Sequence, residues 1–257
     1  MTGEKPYWRV RHCAVTESTN KDALGGMPGD VFTADHQTAG RGRLDHRWLS
    51  PPGENLMMSA VIDVAGAPPE EVATLPLVVG LAVSIAMESL ISPHRPKAGE
   101  AAGTDRPCEV RIKWPNDVLI DGRKVSGILC ERAGDRVIAG VGVNVNQTAF
   151  DPEIAARATS LRIVRSQMPI GNVRDAVLEN LAYALAQWRT GGFRSVWPDI
   201  SARDFLKGMS IAVRRTDDDM SPIAGLCGGI RPDGALDVGG EPVFAGEVHL
   251  TGLRAGF

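Results

Sequence analysis

The chain has 257 residues, of which 43% are hydrophobic and 23% charged, and its formal net charge is −3. A chain of this length exceeds one average domain, so a large domain with a smaller one beside it is expected. Interspersed charges of both signs do not favour general binding to nucleic acids or to membrane surfaces. The four cysteines are too scattered for a metal site. Because no apolar signal segment precedes them, they predict reduced thiols and a cytoplasmic location.

A predicted strand over residues 8–15 is followed by three polar residues, Ser18, Thr19 and Asn20. Such residues are typical helix N-caps and could begin a short helix that extends through Leu24. Their hydroxyls and amide could equally bind the polar head of a ligand, since together they donate and accept hydrogen bonds. The segment therefore predicts either a helix cap or a ligand contact.

A second strand, over residues 31–37, leads into a loop in which two glycines alternate with Arg41 and Arg43. Glycine lets the backbone approach a ligand closely, and guanidinium groups pair with carboxylates and phosphates. A basic surface loop has the same composition. Residues 38–48 thus predict either an anion-binding site or an exposed basic segment.

The middle of the chain predicts a strand and then a long buried helix. Residues 55–64 favour a strand, and residues 69–90 begin with a proline and two glutamates and are apolar nearly throughout. Carboxylates in the first turn suit the positive end of a helix, so one core helix is expected here. Residues 92–107 are rich in proline, glycine, alanine and charge and predict a variable surface loop.

Residues 113–129 predict a β-hairpin, because Asp121 and Gly122 suit the two central positions of a type I′ turn. A two-residue loop pairs Leu119 with Lys124, and the two side chains then share one face of the hairpin. The hairpin is therefore expected to bury one face and to present the other.

The presented face is expected to carry a carboxylate and an ammonium group. Alternation places Asp117 on the same face as Lys124, at a diagonal position about 7–8 Å away between backbones. The two charges form either an ion pair on a solvated sheet, which contributes little, or part of a ligand site. Pro115 leaves the facing of Lys113 and Asn116 open. Four residues are expected to point from the other face into the core: Trp114, Val118, Val125 and Leu129.

A strand over residues 135–146 contains two glycines. Strand glycines mark either close packing or a place where a ligand lies against the backbone. A helix is predicted next, with Asn172 as its N-cap, Asp175 three residues later, and Gly191 and Gly192 at its end. Its apolar stripe is expected in the core: Val177, Leu178, Leu181, Leu185 and Trp188.

From Phe205 the sequence changes to short β segments separated by turns, notably at residues 231–234 and 239–240. Roughly fifty residues of this kind predict a small barrel-like β domain. The expected domains are therefore residues 1–203 and residues 204–257.

Five segments in this order resemble motifs of the biotin–protein ligases, enzymes that adenylate biotin and attach it to a carrier-protein lysine. They are Ser18-Thr-Asn20, His36-Gln-Thr-Ala-Gly-Arg-Gly-Arg43, Lys113-Trp-Pro-Asn-Asp117, Gly140-Val-Gly-Val-Asn144 and Gly246-Glu-Val-His-Leu250. The resemblance covers nearly the whole chain. It implies an α+β fold with a mixed, largely antiparallel sheet and packed helices, like class II synthetase catalytic domains, followed by an SH3-like β-barrel.

The resemblance also implies a set of site residues. Biotin would be bound by Ser18, Thr19, Asn20, Gln37, Gly40, Arg41, Lys124 and Gly127. ATP and the adenylate would be bound by Arg43, His46, Trp48, Lys113, Asn116, Asp117 and Asn144. Catalysis would depend on Lys124, Arg41, Arg43 and Asp117, with Mg²⁺ reaching Asp117 through the nucleotide. His46 stands where the family commonly has arginine and Arg47 follows it, so the phosphate contact is left open between these two residues.

The implied reaction uses ATP and biotin as substrates and a biotin carboxyl carrier protein as acceptor. Two alternatives stay open: a lipoate or octanoate transferase of the same fold, and a non-catalytic regulatory protein that binds biotinyl-adenylate. The short segment ahead of residue 8 leaves no room for a DNA-binding domain, so DNA is not expected as a partner. A homodimer is left open.

Overall fold

The structure is a computed structural model that describes residues 8–43, 46–92, 108–214 and 221–251. The surface loop predicted over residues 92–107 lies outside these ranges except for its first residue, and Leu44 and Asp45 lie outside them as well. The strands of the larger sheet are β1 (Arg9–Thr16), β2 (Asp30–Gln37), β3 (Leu56–Asp63), β4 (Val110–Lys113), β5 (Asp117–Ile120), β6 (Arg123–Ala133) and β7 (Arg136–Val143). The smaller sheet contains β8 (Ser210–Arg214), β9 (Ile223–Ile230), β10 (Leu236–Val238), β11 (Glu241–Val243) and β12 (Glu247–Leu250). The helices are α1 (Thr19–Ala23), α2 (Pro69–Ala73), α3 (Leu75–Ile91), α4 (Pro152–Ala155), α5 (Leu161–Val164), α6 (Ile170–Gly191) and α7 (Phe193–Ala202).

The larger sheet has the strand order β1-β2-β3-β7-β6-β5-β4. β1 runs parallel to β2, and the other neighbours are antiparallel. α3 and α6 pack against each other and contribute to the main core on one side of this sheet. The predicted α+β fold with a mixed, largely antiparallel sheet is therefore confirmed.

Alternation along the central strands separates the sheet into two faces. The main core takes one set of side chains: Leu56, Met58, Ala60 and Ile62 of β3 and Val137, Ala139, Val141 and Val143 of β7. The other face carries a small apolar cluster that anchors α1: Ala23, Val61 and Ile138, with Phe32 packed against them. Gly140 and Gly142 of β7 lie on this second face, which we call the site face because the predicted ligand residues gather there.

Two helix predictions need correction. The helical stretch predicted over residues 69–90 is two helices, α2 and α3, separated at Thr74. Pro76 lies in the first turn of α3, where its missing N–H is tolerated, so the sequence restarts a helix there. α6 begins at Ile170 with Pro169 as its N-cap, so the prediction that Asn172 caps it is wrong. The fixed φ of proline suits a helix start, and it places Asn172 inside the first turn.

Other parts of these predictions are confirmed. α3 is buried over most of its length, as expected for a core helix. α6 ends at Gly191, and Gly192 follows with a positive φ of 65°. The predicted stripe of α6 is buried: Val177, Leu178, Leu181, Leu185 and Trp188. Within the described ranges, no helix has the length and apolar character needed to cross a membrane.

The smaller sheet has the order β11-β10-β9-β8-β12, and all its neighbours are antiparallel. Two tryptophans from outside this sheet donate hydrogen bonds to the backbone of β9 and of the turn that follows it. Trp114 Nε1 donates to Gly234 O at 3.1 Å, and Trp197 Nε1 donates to Ile230 O at 2.8 Å. The predicted strand-rich C-terminal region is thus present, while the exact domain boundary stays a prediction.

Candidate active site

The predicted hairpin forms between β5 and β6. Asp121 and Gly122 have φ values of 48° and 76°, as a type I′ turn requires. Leu119 is paired with Lys124, as the sequence predicted. Both the turn and the first cross-strand pairs are therefore confirmed.

A β-bulge changes the register beyond the first pairs. Leu119 pairs with Lys124 but Val118 pairs with Ser126, so one extra residue, Val125, lies on β6. A bulge inverts the alternation of the strand beyond it. The prediction that Leu129 points into the core is wrong, because Leu129 is only partly buried and lies outside the main core, which takes the neighbouring Ile128 instead.

The bulge also decides which residues of β6 join Lys124 on the site face. Gly127 lies three residues after Lys124, so unbroken alternation would place the two on opposite faces. A Cβ at Gly127 would nevertheless lie only 3.2 Å from Lys124 Nζ, so both residues are on the site face. The other three residues that were predicted to point into the core are indeed buried: Trp114, Val118 and Val125.

The Lys113–Asp117 motif forms a turn between two strands and not one continuous strand. β4 ends at Lys113, β5 begins at Asp117, and these two residues face each other in the pairing of the strands. Asn116 fixes the turn to β6, because its Nδ2 donates to Ile128 O at 2.8 Å and its carbonyl accepts from Ile128 N at 2.9 Å. The motif thus brings Lys113 and Asp117 to the same end of the site face.

Lys124 and Asp117 form an ion pair at that end. Lys124 Nζ lies 2.7 Å from Asp117 Oδ1, although the approach is too oblique for a directed hydrogen bond. The lysine side chain is 39% exposed and the carboxylate 19% exposed. The sequence left two interpretations of this pair open, an ion pair on a solvated sheet and part of a ligand site. Its partial burial beside other cations favours the ligand site.

Two further cations lie in the same region. Burial lowers the pKa of Lys113; Asp117 and Glu247 oppose this shift, and Lys124 adds to it. Burial also lowers the pKa of the Arg43 guanidinium, and Asp117 and Glu247 oppose that shift. We call Arg43, Lys113 and Lys124 the cation cluster; it holds positive charge that the surrounding protein only partly compensates.

Arg43 connects this cluster to the smaller sheet. Its Nη1 lies 3.4 Å from Asn116 Oδ1 and 3.4 Å from Gly246 O, which precedes β12. His46 Nε2 lies 3.9 Å from Glu247 Oε1. Arg43 and His46 belong to the loop of residues 38–48, which we call the arginine-rich loop. Through them this loop contacts residues next to both sheets at the cation cluster.

A second group of polar side chains lies beside α1 on the site face. Thr19, Asn20 and Ser59 are buried, and Gln37 Oε1 accepts from Thr19 N at 2.8 Å. We call these four residues the polar cluster. Ser18 is the N-cap of α1 by position, but its side chain makes no capping hydrogen bond. Its buried hydroxyl is thus not explained by helix capping.

The polar cluster has fewer hydrogen-bond donors than its contacts need. Ser59 Oγ lies 2.6 Å from Asn20 Oδ1 and 2.7 Å from Thr19 Oγ1, which lies 3.0 Å from Gln37 Oε1. The amide oxygens cannot donate, so two hydroxyl protons serve three contacts. One of the three contacts therefore lacks a proton, and a ligand N–H group could donate to an oxygen of the cluster that no proton reaches.

Glycines form the floor between the two clusters. Gly127 and Gly142 are paired across β6 and β7, and the Trp48 indole lies over both. A Cβ would lie 3.3 Å from the indole at Gly127 and 2.5 Å from it at Gly142. At Gly140 a Cβ would lie 2.2 Å from Asn20 Oδ1. Of the two explanations for strand glycines, close packing is therefore observed at all three positions.

The arginine-rich loop is anchored at both ends. Trp48 N donates to Gly40 O at 3.1 Å, and a Cβ at Gly40 would lie 2.5 Å from Trp48 O. Arg41 forms a β-bridge with Arg47 and an ion pair with Glu131. Glycine is needed at residue 40 because the two ends of the loop meet there.

Comparisons with known proteins identify the family. The biotin/lipoate A/B protein ligase family profile matches residues 14–147. A Mycobacterium tuberculosis protein named biotin–[acetyl-CoA-carboxylase] ligase is 33% identical, and the match covers 99% of this chain and 93% of that protein. The chain belongs to the biotin/lipoate A/B protein ligase family.

Further members of the family support the assignment. A Paracoccus denitrificans protein with the same name is 31% identical, over 93% of this chain and 99% of that protein. The solved structure of biotin protein ligase from Aquifex aeolicus in complex with biotin and ATP is 27% identical. It superposes with a TM-score of 0.77, covering 94% of this chain and 97% of that chain.

Asn144, which the family resemblance placed near the nucleotide, has a structural role here. Its Nδ2 donates to Thr159 O at 3.0 Å, and its N–H donates to Val125 O at 2.8 Å. Thr159 N donates to Lys124 O at 2.9 Å. Asn144 thus supports the segment that carries Lys124, and its contact with a nucleotide stays a prediction.

Two residues of the site, Ser59 and Glu131, were not predicted from the sequence. Ser59 could have been noticed, because it is a lone hydroxyl in the apolar strand Leu56–Asp63. Glu131 could not, because unbroken alternation from Lys124 places it on the core face. The bulge at Val125 moves Glu131 to the site face, where it contacts Asn20 and Arg41.

Proposed function

We propose that this protein is an ATP-dependent biotin–protein ligase. The observation that carries the proposal is the arrangement of the site face, where a donor-poor polar cluster and a cation cluster flank a floor of glycines. A biotin head group offers N–H donors and a carbonyl acceptor, and its carboxylate lies at the far end of an apolar chain. The polar cluster suits the head group, and the cation cluster suits the carboxylate and the phosphates of ATP.

The reaction has two steps. A carboxylate oxygen of biotin attacks the α-phosphorus of ATP, the bond to pyrophosphate breaks, and biotinyl-5′-adenylate forms. The neutral ε-amine of a carrier lysine then attacks the acyl carbon, AMP leaves, and the nitrogen loses a proton to give an amide. The acceptor is a biotin carboxyl carrier protein domain of a biotin-dependent carboxylase. The adenylate is already an activated acyl donor, so no covalent enzyme intermediate is required.

Lys124, Arg41 and Arg43 stabilise the negative charge that develops on the carboxylate and the α-phosphate. Fixed cations in a partly dehydrated site act more strongly than they would in water, because they need no reorganisation during the reaction. Lys113 adds to the attraction for the phosphates. Asp117 holds Lys124 in place until the anionic ligand arrives.

Mg²⁺ is proposed to enter with the nucleotide. Within the described ranges, no group of three or more histidine, cysteine, aspartate or glutamate residues is placed to hold a metal ion. Mg²⁺ commonly binds through one or two carboxylates together with substrate phosphates and waters. Asp117 can serve as such a carboxylate, and the bound ion would offset charge on the leaving pyrophosphate.

The polar cluster favours biotin over lipoate or octanoate. The dithiolane end of lipoate and the methyl end of octanoate have no N–H or O–H donor to offer the polar cluster, and each unpaired buried polar group costs about 1–3 kcal/mol. The remaining predictions are a cytoplasmic protein, a homodimer as an open alternative, and no binding to DNA.

The test is incubation with ATP, Mg²⁺, biotin and a biotin carboxyl carrier domain, followed by mass measurement of the carrier. Transfer of one biotin to one carrier lysine is the expected result, and lipoate or octanoate in place of biotin should give no product. Binding of added biotinyl-adenylate, with neither its formation from biotin and ATP nor transfer of biotin to the carrier, would instead support the non-catalytic, adenylate-binding alternative.

A further inference from the structure

Glu131 bridges two parts of the site that are far apart in sequence. Its Oε2 accepts from Asn20 Nδ2 at 2.6 Å, and its Oε1 contacts Arg41 Nη2. One carboxylate therefore joins the polar cluster to the arginine-rich loop. The contact with Arg41 alone would be a partly exposed ion pair, which contributes little. The contact with buried Asn20 distinguishes Glu131 from an ordinary surface carboxylate.

The charge of Glu131 fixes the orientation of the Asn20 amide. An ionised carboxylate accepts hydrogen bonds and cannot donate them, so it must face the NH₂ group of Asn20 and not the oxygen. Asn20 Oδ1 is then turned toward Ser59, whose Oγ lies 2.6 Å away. The acceptor side of the polar cluster is thereby defined before any ligand binds.

The backbone leaves Asn20 no room to compensate by moving. Its Oδ1 lies 2.2 Å from the position that a Cβ would take at Gly140, so the side chain rests directly on the floor of the site. α1 is itself anchored by the apolar contacts of Ala23 with Val61 and Ile138. Rotation of the amide group is therefore the freedom that remains. Glu131 restrains it through the shorter contact, and Leu129 O, which accepts from Asn20 Nδ2 at 3.4 Å, adds to the restraint.

We propose that Glu131 is a positioning residue for biotin recognition, which acts by orienting the Asn20 amide and by holding Arg41 beside the site. The inference rests on the proposed function, because it assumes that the polar cluster receives the biotin head group. Glu131 itself needs no contact with the ligand.

The test uses E131Q, which keeps the size of the side chain but can donate as well as accept. Glutamine permits both orientations of the Asn20 amide and loses the charge that attracts Arg41. Biotin affinity without ATP, measured by titration calorimetry, is expected to fall about tenfold, as for loss of one charge-assisted hydrogen bond. KM for biotin should rise similarly. The kcat at saturating biotin should change less than about threefold, because the bound ligand gives Arg41 a new anionic partner.

Two further variants distinguish positioning from a structural role. E131D keeps an acceptor-only group but shortens its reach, so an intermediate loss is expected. E109Q is the matched control, because Glu109 also contacts an arginine, Arg111, beside the edge strand β4 and outside the site. E109Q should bind biotin as the wild type does. If Glu131 merely stabilised the fold, E131Q would lower the melting temperature and leave biotin affinity unchanged.

A double-mutant cycle gives the sharpest result. In an N20A background the orienting role is absent and only the partly exposed contact with Arg41 remains, so adding E131Q should cost at most about twofold in biotin affinity. Fully additive losses, or E131Q binding biotin within twofold of wild type, would overturn the inference. Carrier biotinylation by the wild-type protein is measured in parallel. If it fails the proposed function fails, whereas normal wild-type activity with an unaffected E131Q refutes the role of Glu131 alone.

Discussion

The two ends of the site face solve different physical problems. In the polar cluster, Thr19, Asn20, Gln37 and Ser59 bind one another, and their orientations are set before a ligand arrives. In the cation cluster, positive groups are crowded together and burial lowers the pKa of two of them, Arg43 and Lys113.

The contrast indicates how each end recognises its ligand. The polar cluster selects by geometry, because a wrong ligand leaves buried polar groups unpaired. The cation cluster selects by charge, because a polyanion relieves repulsion that the empty protein must bear. Substitutions at the two ends should therefore differ in their effects on stability and on substrate binding.

Removing Lys124 should have the largest effect. K124A is expected to slow biotin-dependent ATP–pyrophosphate exchange by roughly 30- to 1000-fold, since a lost preorganised charge contact raises the barrier by about 2–4 kcal/mol. R132A, which removes an exposed cation from the same strand, is the control and should retain normal exchange. Near-normal exchange in folded K124A would contradict the assignment of Lys124.

Adding a methyl group at Gly140 should disable the polar cluster. A Cβ there meets Asn20 Oδ1 at 2.2 Å, so G140A must displace the amide. Biotin affinity is expected to fall about 10- to 100-fold, and the fold should lose about 1–3 kcal/mol of stability from overpacking. G25A is the control, because no atom lies within 4 Å of a Cβ at Gly25. Calorimetric binding of biotin to G140A at wild-type strength would show that the floor can yield.

Removing Lys113 should stabilise the fold while weakening ATP binding. K113M is expected to raise KM for ATP about tenfold, through loss of one charged contact. Its melting temperature should be no lower than that of the wild type, because a cation that burial disfavours has been replaced by an apolar side chain. R132M, which replaces an exposed cation outside the site, should change neither quantity. A clear loss of stability in K113M would mean that its positive charge is compensated after all.

The same substitution predicts a pH dependence. Burial lowers the pKa of Lys113 below its usual 10.5 in the folded protein, so the unfolded chain binds that proton more tightly. The cost to folding is present at neutral pH and disappears as the pH rises through the folded-state pKa toward 10.5. The stability advantage of K113M over the wild type should therefore shrink with rising pH, as denaturant unfolding at several pH values would measure.

The smallest effect is expected in the arginine-rich loop. Biotin with ATP gives Arg41 and Arg43 anionic partners, so trypsin cleavage after these residues should slow several-fold by mass spectrometry of timed digests. Cleavage after Arg132, outside the site, is the internal reference. Equal slowing at both places would indicate general stabilisation by ligand and not a contact with the loop.

Much of this protein could be predicted locally. The type I′ turn follows from Asp121-Gly122, because few residues accept positive φ at both positions. The core stripe of α6 follows from helical periodicity, and the end of that helix follows from its paired glycines. The family motifs named candidate ligand residues in segments that the fold brings to one face of the larger sheet. These features depend on neighbouring residues, which is why the sequence determines them.

What tertiary structure alone decided is how those segments meet. The extra residue Val125 inverts the alternation of β6, so Leu129 leaves the core, while Gly127 and Glu131 join Lys124 on the site face. Ser59 contacts Asn20, and Glu131 contacts Arg41. Each pair joins elements that are distant in sequence and become neighbours only in the folded protein. A bulge depends on how one strand pairs with its neighbours, and no local pattern of hydrophobicity records that pairing.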